Sequence, residues 1–115
     1  MEHSEEQIIF QIILHSGTAR AESYKALRDA RAGNIEEAGI SFDKAKEEMD
    51  KAHKIHRDLL ANPEVISSAP SLLMVHAQDH LMTALAENTL IIEINELLNT
   101  VRNLSERIEK LEKHE

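Results

Sequence analysis

Apolar positions between residues 4 and 60 recur at three-and-four spacing, the period of a helix buried along one stripe. In the second half of that stretch the stripe is Ile35, Ala38, Phe42, Ala45, Met49, Ala52, His56 and Leu59. In the first half, Ile12 is followed on one row by Ser16, Ala19, Ser23, Ala26 and Ala30, a ridge of small residues that admits a neighbouring helix at close range. Ile8–Leu14 is different. It is apolar on several sides, interrupted only by Gln11, which is more than one buried face needs and predicts a second buried contact.

Punctuation sets the bounds. The first helix is expected from about Ser4 to Ala32, closed by Gly33, and the second from Asn34. Glu37 three residues on resembles a capping box with Asn in the leading position. Pro63 ends the second helix near Asn62, because proline cannot continue it and disfavours helical geometry in the residue before. Pro63–Pro70 reads as a loop, and Ser71 to the C-terminus as a third helix. Short connections make neighbouring helices antiparallel, so the expected fold is all-α, an up-down-up three-helix bundle.

The third helix is too long for its partners. At 1.5 Å per residue it spans on the order of 60 Å against about 45 Å for the other two, so residues after about Thr100 overhang. They continue a regular seam of Leu90, Ile94, Leu97, Val101, Leu104, Ile108 and Leu111, in alternating steps of four and three. A repeat of 3.5 beyond the end of a bundle is a coiled-coil signature and predicts self-association, although the seam alone leaves the number of chains open. The division expected is a bundle domain over residues 1–99 and a helical tail over 100–115.

Composition narrows the field. At 115 residues the chain suits one domain with a modest core, and its 3% aromatic content with three glycines and two prolines supplies an all-β fold poorly. No cysteine is present, which excludes disulfides and thiolate metal sites. A net charge of −8 argues against nucleic acid and against an anionic membrane surface, both of which draw on clustered Lys and Arg. The apolar runs fall short of a bilayer span and the acidic start does not suit a signal peptide, so a soluble cytoplasmic protein with no membrane insertion is expected.

Chemistry concentrates in seven histidines. His3 and His114 sit at the ends. His53 and His56 lie about two turns before Pro63, and His76 and His80 about two turns after Pro70, so an antiparallel pair would bring them to one level, with His15 a little farther along. Two chemistries compete. His76, Asp79 and His80 fall at i, i+3 and i+4 on one helix face and, with His53 or His56, could form a metal shell; the glutamates that di-iron bundles place on each helix are missing at this level. The alternative is phosphoryl transfer, for which an exposed imidazole is a good nucleophile near neutral pH. His76, near a helix start, gains from the N-terminal dipole, and His80 and Gln78 are candidate donors to the phosphoryl oxygens. No Lys or Arg lies within this motif, and a buried, hydrogen-bonded histidine is the plainer reading of His56 on its core stripe.

Met74–Met82, MVHAQDHLM, with Ser71-Leu72-Leu73 before it and Thr83 after it, closely resembles the signature of the lactose/cellobiose-type IIA proteins of the bacterial sugar phosphotransferase system. Ile12–Arg20 resembles that family's IIxxSGxAR segment, Gly33–Ala38 its GDFxxA helix start and Glu48–His53 its ExxxAH stretch, in the family's order over about residues 6–98. The resemblance implies a cytoplasmic homotrimer of three-helix bundles. It implies that phosphate comes from the histidine phosphocarrier protein and passes to a IIB component, for uptake of a β-linked disaccharide. It further implies that His76 is phosphorylated, with Nε2 as the acceptor atom, that His80 supports the site, and that Asp79 meets its symmetry mates on the trimer axis. There a divalent cation, most naturally a structural Mg2+ shared by the trimer, would offset three converging carboxylates. The sequence departs from the family at His56, where a Gln is usual, in the shortened Pro63–Pro70 loop, and in the tail, which favours a three-stranded seam. Other readings are a IIA-like trimer acting as a regulatory module and a metal-dependent bundle enzyme.

Overall fold

Ser4 and Ser71, the residues that open the first and last long helices, set the frame of the molecule. A computed structural model describes residues 4–114, and His3 lies outside the described residues. Four helices follow in order, α1 (Glu5–Arg31), α2 (Ile35–Leu60), α3 (Pro63–Ile66) and α4 (Leu72–Lys113). At Ser4 a full capping box forms: the Ser4 hydroxyl accepts from the Gln7 backbone N–H, and the Gln7 side chain accepts from Ser4 N–H. The Ser71 hydroxyl likewise accepts from Met74 N–H at 3.0 Å, fixing where α4 starts and hence which face carries His76.

The close of α1 has a consequence for α2. Gly33 takes φ +91, and two bonds, Gly33 N–H to the Ala30 carbonyl and Asn34 N–H to the Asp29 carbonyl, complete a Schellman closure. Asn34 N–H is the group that a capping box would offer to Glu37, and it is already committed. The capping box expected at Asn34 therefore does not form, and the Asn34 side chain makes no cap bond. The loop after α2 is also more ordered than expected. Asn62 caps Glu64 N–H through its side chain, and Pro63, whose missing N–H costs nothing at a first helical position, begins the single turn α3.

The three long helices form the antiparallel up-down-up bundle. The ridge Ile12, Ser16, Ala19, Ser23, Ala26 and Ala30 is buried along its whole length. It faces the small residues of α2, with Ala38, Ser41, Ala45 and Ala52 buried opposite, so α1 and α2 share the most extensive contact. The lower core gathers Ile9, Ile12, Ala19, Met49, Ala52, Leu59, Met74, Ala77, Leu81 and Ala84 from all three helices. α4 packs chiefly on α1 and meets α2 over a much smaller area. That asymmetry opens a cleft along the α1–α4 seam and turns one face of α4 to solvent.

α4 outruns its partners, giving an elongated molecule of 72 × 24 × 19 Å. Its last buried residue is Ile91, and the seam residues Leu90, Ile94, Leu97, Val101, Leu104, Ile108 and Leu111 are between 46% and 69% exposed in the single chain. Phe10 and Leu14, in the apolar belt of α1, are exposed as well. Among the described residues, no helix is long and apolar enough to cross a membrane.

Candidate functional site: a histidine pair in the α1–α4 cleft

His76 stands on the second turn of α4, on the solvent side, with Ala77 beside it turned fully into the core. One helical turn on, His80 is half-buried, and its Nε2 lies 3.1 Å from Nε2 of His76. The rings meet edge to face, with centroids 4.5 Å apart at 89°. A hydrogen bond between two ring nitrogens needs one proton and one lone pair. When His80 Nε2–H donates, His76 carries its own proton on Nδ1 and its Nε2 lone pair is the acceptor, released for attack when that bond opens. Thus the i, i+4 spacing brings the two Nε2 atoms together on one face. The pair lines an open cleft of about 250 Å3 together with Asp79 and Thr83 of α4 and Ser16 and Arg20 of α1. A second, apolar hollow beside His76 is walled by Leu72 and Leu73, and Leu72 is almost wholly exposed.

The other expected residues go elsewhere. Gln78 is turned away from the pair: its amide lies 3.2 Å from Nε2 of His56, across the α2–α4 contact. The support expected of Gln78 is therefore absent, because positions 76 and 78 lie on different sides of a helix. His56 is buried, and burial first, with the neighbouring His53 second, pushes its ring below the usual 6.5. It is a neutral core histidine satisfied by a side chain. His15 is paired with Glu48 of α2, Nδ1 to Oε2 at 2.5 Å, and this bond holds the Glu48 carboxyl below its ordinary value. His53 is exposed. The histidines expected at one level are thus distributed over three contacts, since α4 leans on α1 rather than on α2. Among the described residues, no group of three or more His, Cys, Asp or Glu side chains gathers to hold a metal ion. Asp79 shares the cleft with the histidine pair.

Arg20 was not singled out by sequence reasoning, which saw no cation inside the MVHAQDHLM motif; the cation arrives from α1. Its Nε donates to Glu87 Oε2 at 2.6 Å, and its guanidinium lies 5.7 Å from the centre of the Tyr24 ring. Glu87 is held below its ordinary range, first by Arg20 and then by Tyr24, and the Glu87 carboxylate beside it raises the Tyr24 phenol. The signal was present in the spacing, since Ser16, Arg20 and Tyr24 stand one turn apart on α1 and face His80, Thr83 and Glu87 on the parallel α4. Ser16 is fully buried, and its hydroxyl has no hydrogen-bond partner.

Known proteins are similar to this chain in sequence and fold. The family described as PTS system, Lactose/Cellobiose specific IIA subunit matches residues 7–99. The lichenan-specific phosphotransferase enzyme IIA component of Bacillus subtilis (strain 168) is 42% identical over 102 residues, covering 88% of this chain and 93% of that protein. The N,N'-diacetylchitobiose-specific EIIA component of Escherichia coli (strain K12) is 34% identical over 93 residues, 80% of each chain. Among solved structures, the cellobiose-specific enzyme IIA from Bacillus anthracis superposes with a TM-score of 0.79 at 37% identity, over 90% of this chain and 95% of that one. The Escherichia coli IIA(Chitobiose), solved in complex with HPr, superposes with a TM-score of 0.78 at 30% identity, over 88% and 99%. Three long helices, a paired histidine at the head of the last and a match across the whole bundle converge on one assignment: the chain belongs to the lactose/cellobiose-specific IIA subunit family of the sugar phosphotransferase system.

Proposed function

We propose that this chain is a cytoplasmic phosphocarrier that takes a phosphoryl group from the histidine phosphocarrier protein onto Nε2 of His76 and passes it to a IIB component. The observation that carries the reading is the Nε2-to-Nε2 bond between His76 and His80 at the mouth of an open cleft. The bond from His80 opens, and the freed Nε2 lone pair of His76 attacks the donor's phosphorus in line. The donor's N–P bond breaks, its electron pair stays on the donor nitrogen, and the new N–P bond forms at His76. His80 Nε2–H, which had donated to His76, then turns to a phosphoryl oxygen, so the same proton serves before and after transfer. Leu72 and Leu73 give the site an apolar rim, which suits docking of a protein donor rather than capture of a small phosphate ester. The relatives named for lichenan, oligo-beta-mannoside, cellobiose and diacetylchitobiose support a β-linked saccharide as the sugar served.

The same proposal covers assembly. An exposed α4 seam, exposed Phe10 and Leu14 on α1, and a lone carboxylate at Asp79 support a homotrimer with a three-stranded coiled-coil tail. A single Asp79 is too few ligands for an ion, but three copies with water would supply the oxygen donors that Mg2+ requires, and the ion would offset their mutual repulsion. The relay is tested with phosphoenolpyruvate, the general phosphotransferase enzyme and the phosphocarrier protein: labelled phosphate is expected on this chain and then on a IIB partner. A chain that draws no label from the phosphocarrier overturns the reading.

A further inference from the structure

A phosphoryl group on His76 brings up to two negative charges into a cleft that already holds Asp79, on a chain of net charge −8. Like charges so placed disfavour one another, and a single N–H from His80 offsets this only in part. Arg20 is the only side chain with a permanent positive charge lining that cleft among the described residues. Its pair with Glu87 is solvent-exposed on the arginine side, at 53%, so it contributes little to stability and is cheap to rearrange. The bond to Glu87 engages Nε and leaves N–H donors on the terminal nitrogens. One turn earlier on the same wall, Ser16 carries a buried hydroxyl without a partner, where the neighbouring Ser23 and Thr18 each bond the carbonyl four residues back. Two donors from α1 therefore face a histidine pair on α4 with no anion of their own except Glu87.

We infer that Arg20 is the cation that binds the phosphoryl group carried by His76, with Ser16 as an auxiliary donor, and that Glu87 occupies the guanidinium while His76 is unmodified. This rests on the assignment of His76 as the carrier. Glu87 and Tyr24 act through Arg20: they hold the guanidinium at the cleft wall and compete with the phosphoryl group for it. The consequence is an opposition of sign. Arg20→Gln and Glu87→Gln break the same ion pair, so a purely structural pair predicts the same effect from both. An anion site predicts that Arg20→Gln lowers the phosphorylated fraction, while Glu87→Gln raises it by removing the competitor and its charge.

The experiment mixes each full-length variant with the phosphorylated phosphocarrier protein and measures the equilibrium fraction of phosphate on this chain. Arg20→Gln is expected to shift the transfer equilibrium toward the donor roughly tenfold or more, the usual weight of a hydrogen bond to a charged group. Arg20→Lys should recover part of that loss, and Glu87→Gln should shift the equilibrium the other way. Thermal unfolding of each variant confirms that it is folded. Equal losses in Arg20→Gln and Glu87→Gln, or no change in either, overturn the inference while leaving His76 as carrier. Wild-type chain that takes no phosphate overturns the underlying assignment instead.

Discussion

One shared proton ties His80 to the chemistry of His76. Because both bonded atoms are Nε2, the proton's position decides which ring offers its Nε2 lone pair, and an i, i+4 pair on a rigid helix keeps the two atoms within reach. The roles of the motif's other residues follow from helix geometry: Ala77 and Leu81 enter the core, Gln78 reaches back to His56, and Asp79 stays with the cleft. His76 and His80 were legible from the sequence because their spacing puts them on one face. Gln78 was misplaced because a nine-residue motif looks like one site when it is written in a line. Arg20 went unseen because it stands sixty-seven residues from its partner Glu87, and no local pattern encodes which ridges of α1 and α4 meet. The triad it forms gives a direct check at this scale. Tyr24 is the only tyrosine of the chain and there is no tryptophan, so its ionisation can be followed by ultraviolet absorbance. The Glu87 carboxylate favours the protonated phenol and disfavours a second negative charge beside it, so the midpoint should lie above 10.0 in the native chain. Glu87→Gln should bring it down toward the ordinary value; a midpoint unmoved by that substitution would show that Glu87 is not the cause.

At the scale of elements, α1 and α4 are defined by strong local signals: serine caps at both starts, a glycine closure after α1, and long unbroken stripes between. Asn34 and α3 show where local signals compete. The Schellman bond uses the backbone N–H that a capping box needs, and Pro63, expected to stop helix formation, stops α2 and starts α3. Which two helices share the larger face was not legible, since both short connections permit either packing. The part of α4 beyond the bundle makes its own prediction. Val101, Leu104, Ile108 and Leu111 touch no core, so deleting residues 100–115 removes no core residue, only the half-buried Arg102, and should leave the bundle folded with a similar unfolding midpoint. If the seam is an interface, the loss of those apolar groups at ~0.8 kcal/mol per buried methylene should weaken self-association roughly tenfold or more in sedimentation equilibrium. Association that is unchanged by the deletion would mark the tail as a free helix.

For the whole molecule, the apolar belt Ile8–Leu14, the α4 seam and Asp79 together argue that one chain is an incomplete unit, whose exposed apolar faces lie on α1 and α4 rather than at random. Convergent carboxylates oppose assembly unless they are neutralised, so Asp79→Leu should leave the trimer intact and insensitive to chelators, whereas the native trimer should loosen when divalent cations are removed. Dissociation of Asp79→Leu in sedimentation at moderate concentration would contradict that. Carrying phosphate is the role proposed for His76. The most direct test of that role compares native chain, His76→Ala and His80→Ala after incubation with phosphoenolpyruvate, the general phosphotransferase enzyme and the phosphocarrier protein. Acid-labile, base-stable phosphate should appear on native chain, be diminished but present on His80→Ala, and be missing from His76→Ala; such phosphate on folded His76→Ala would place the carrier elsewhere.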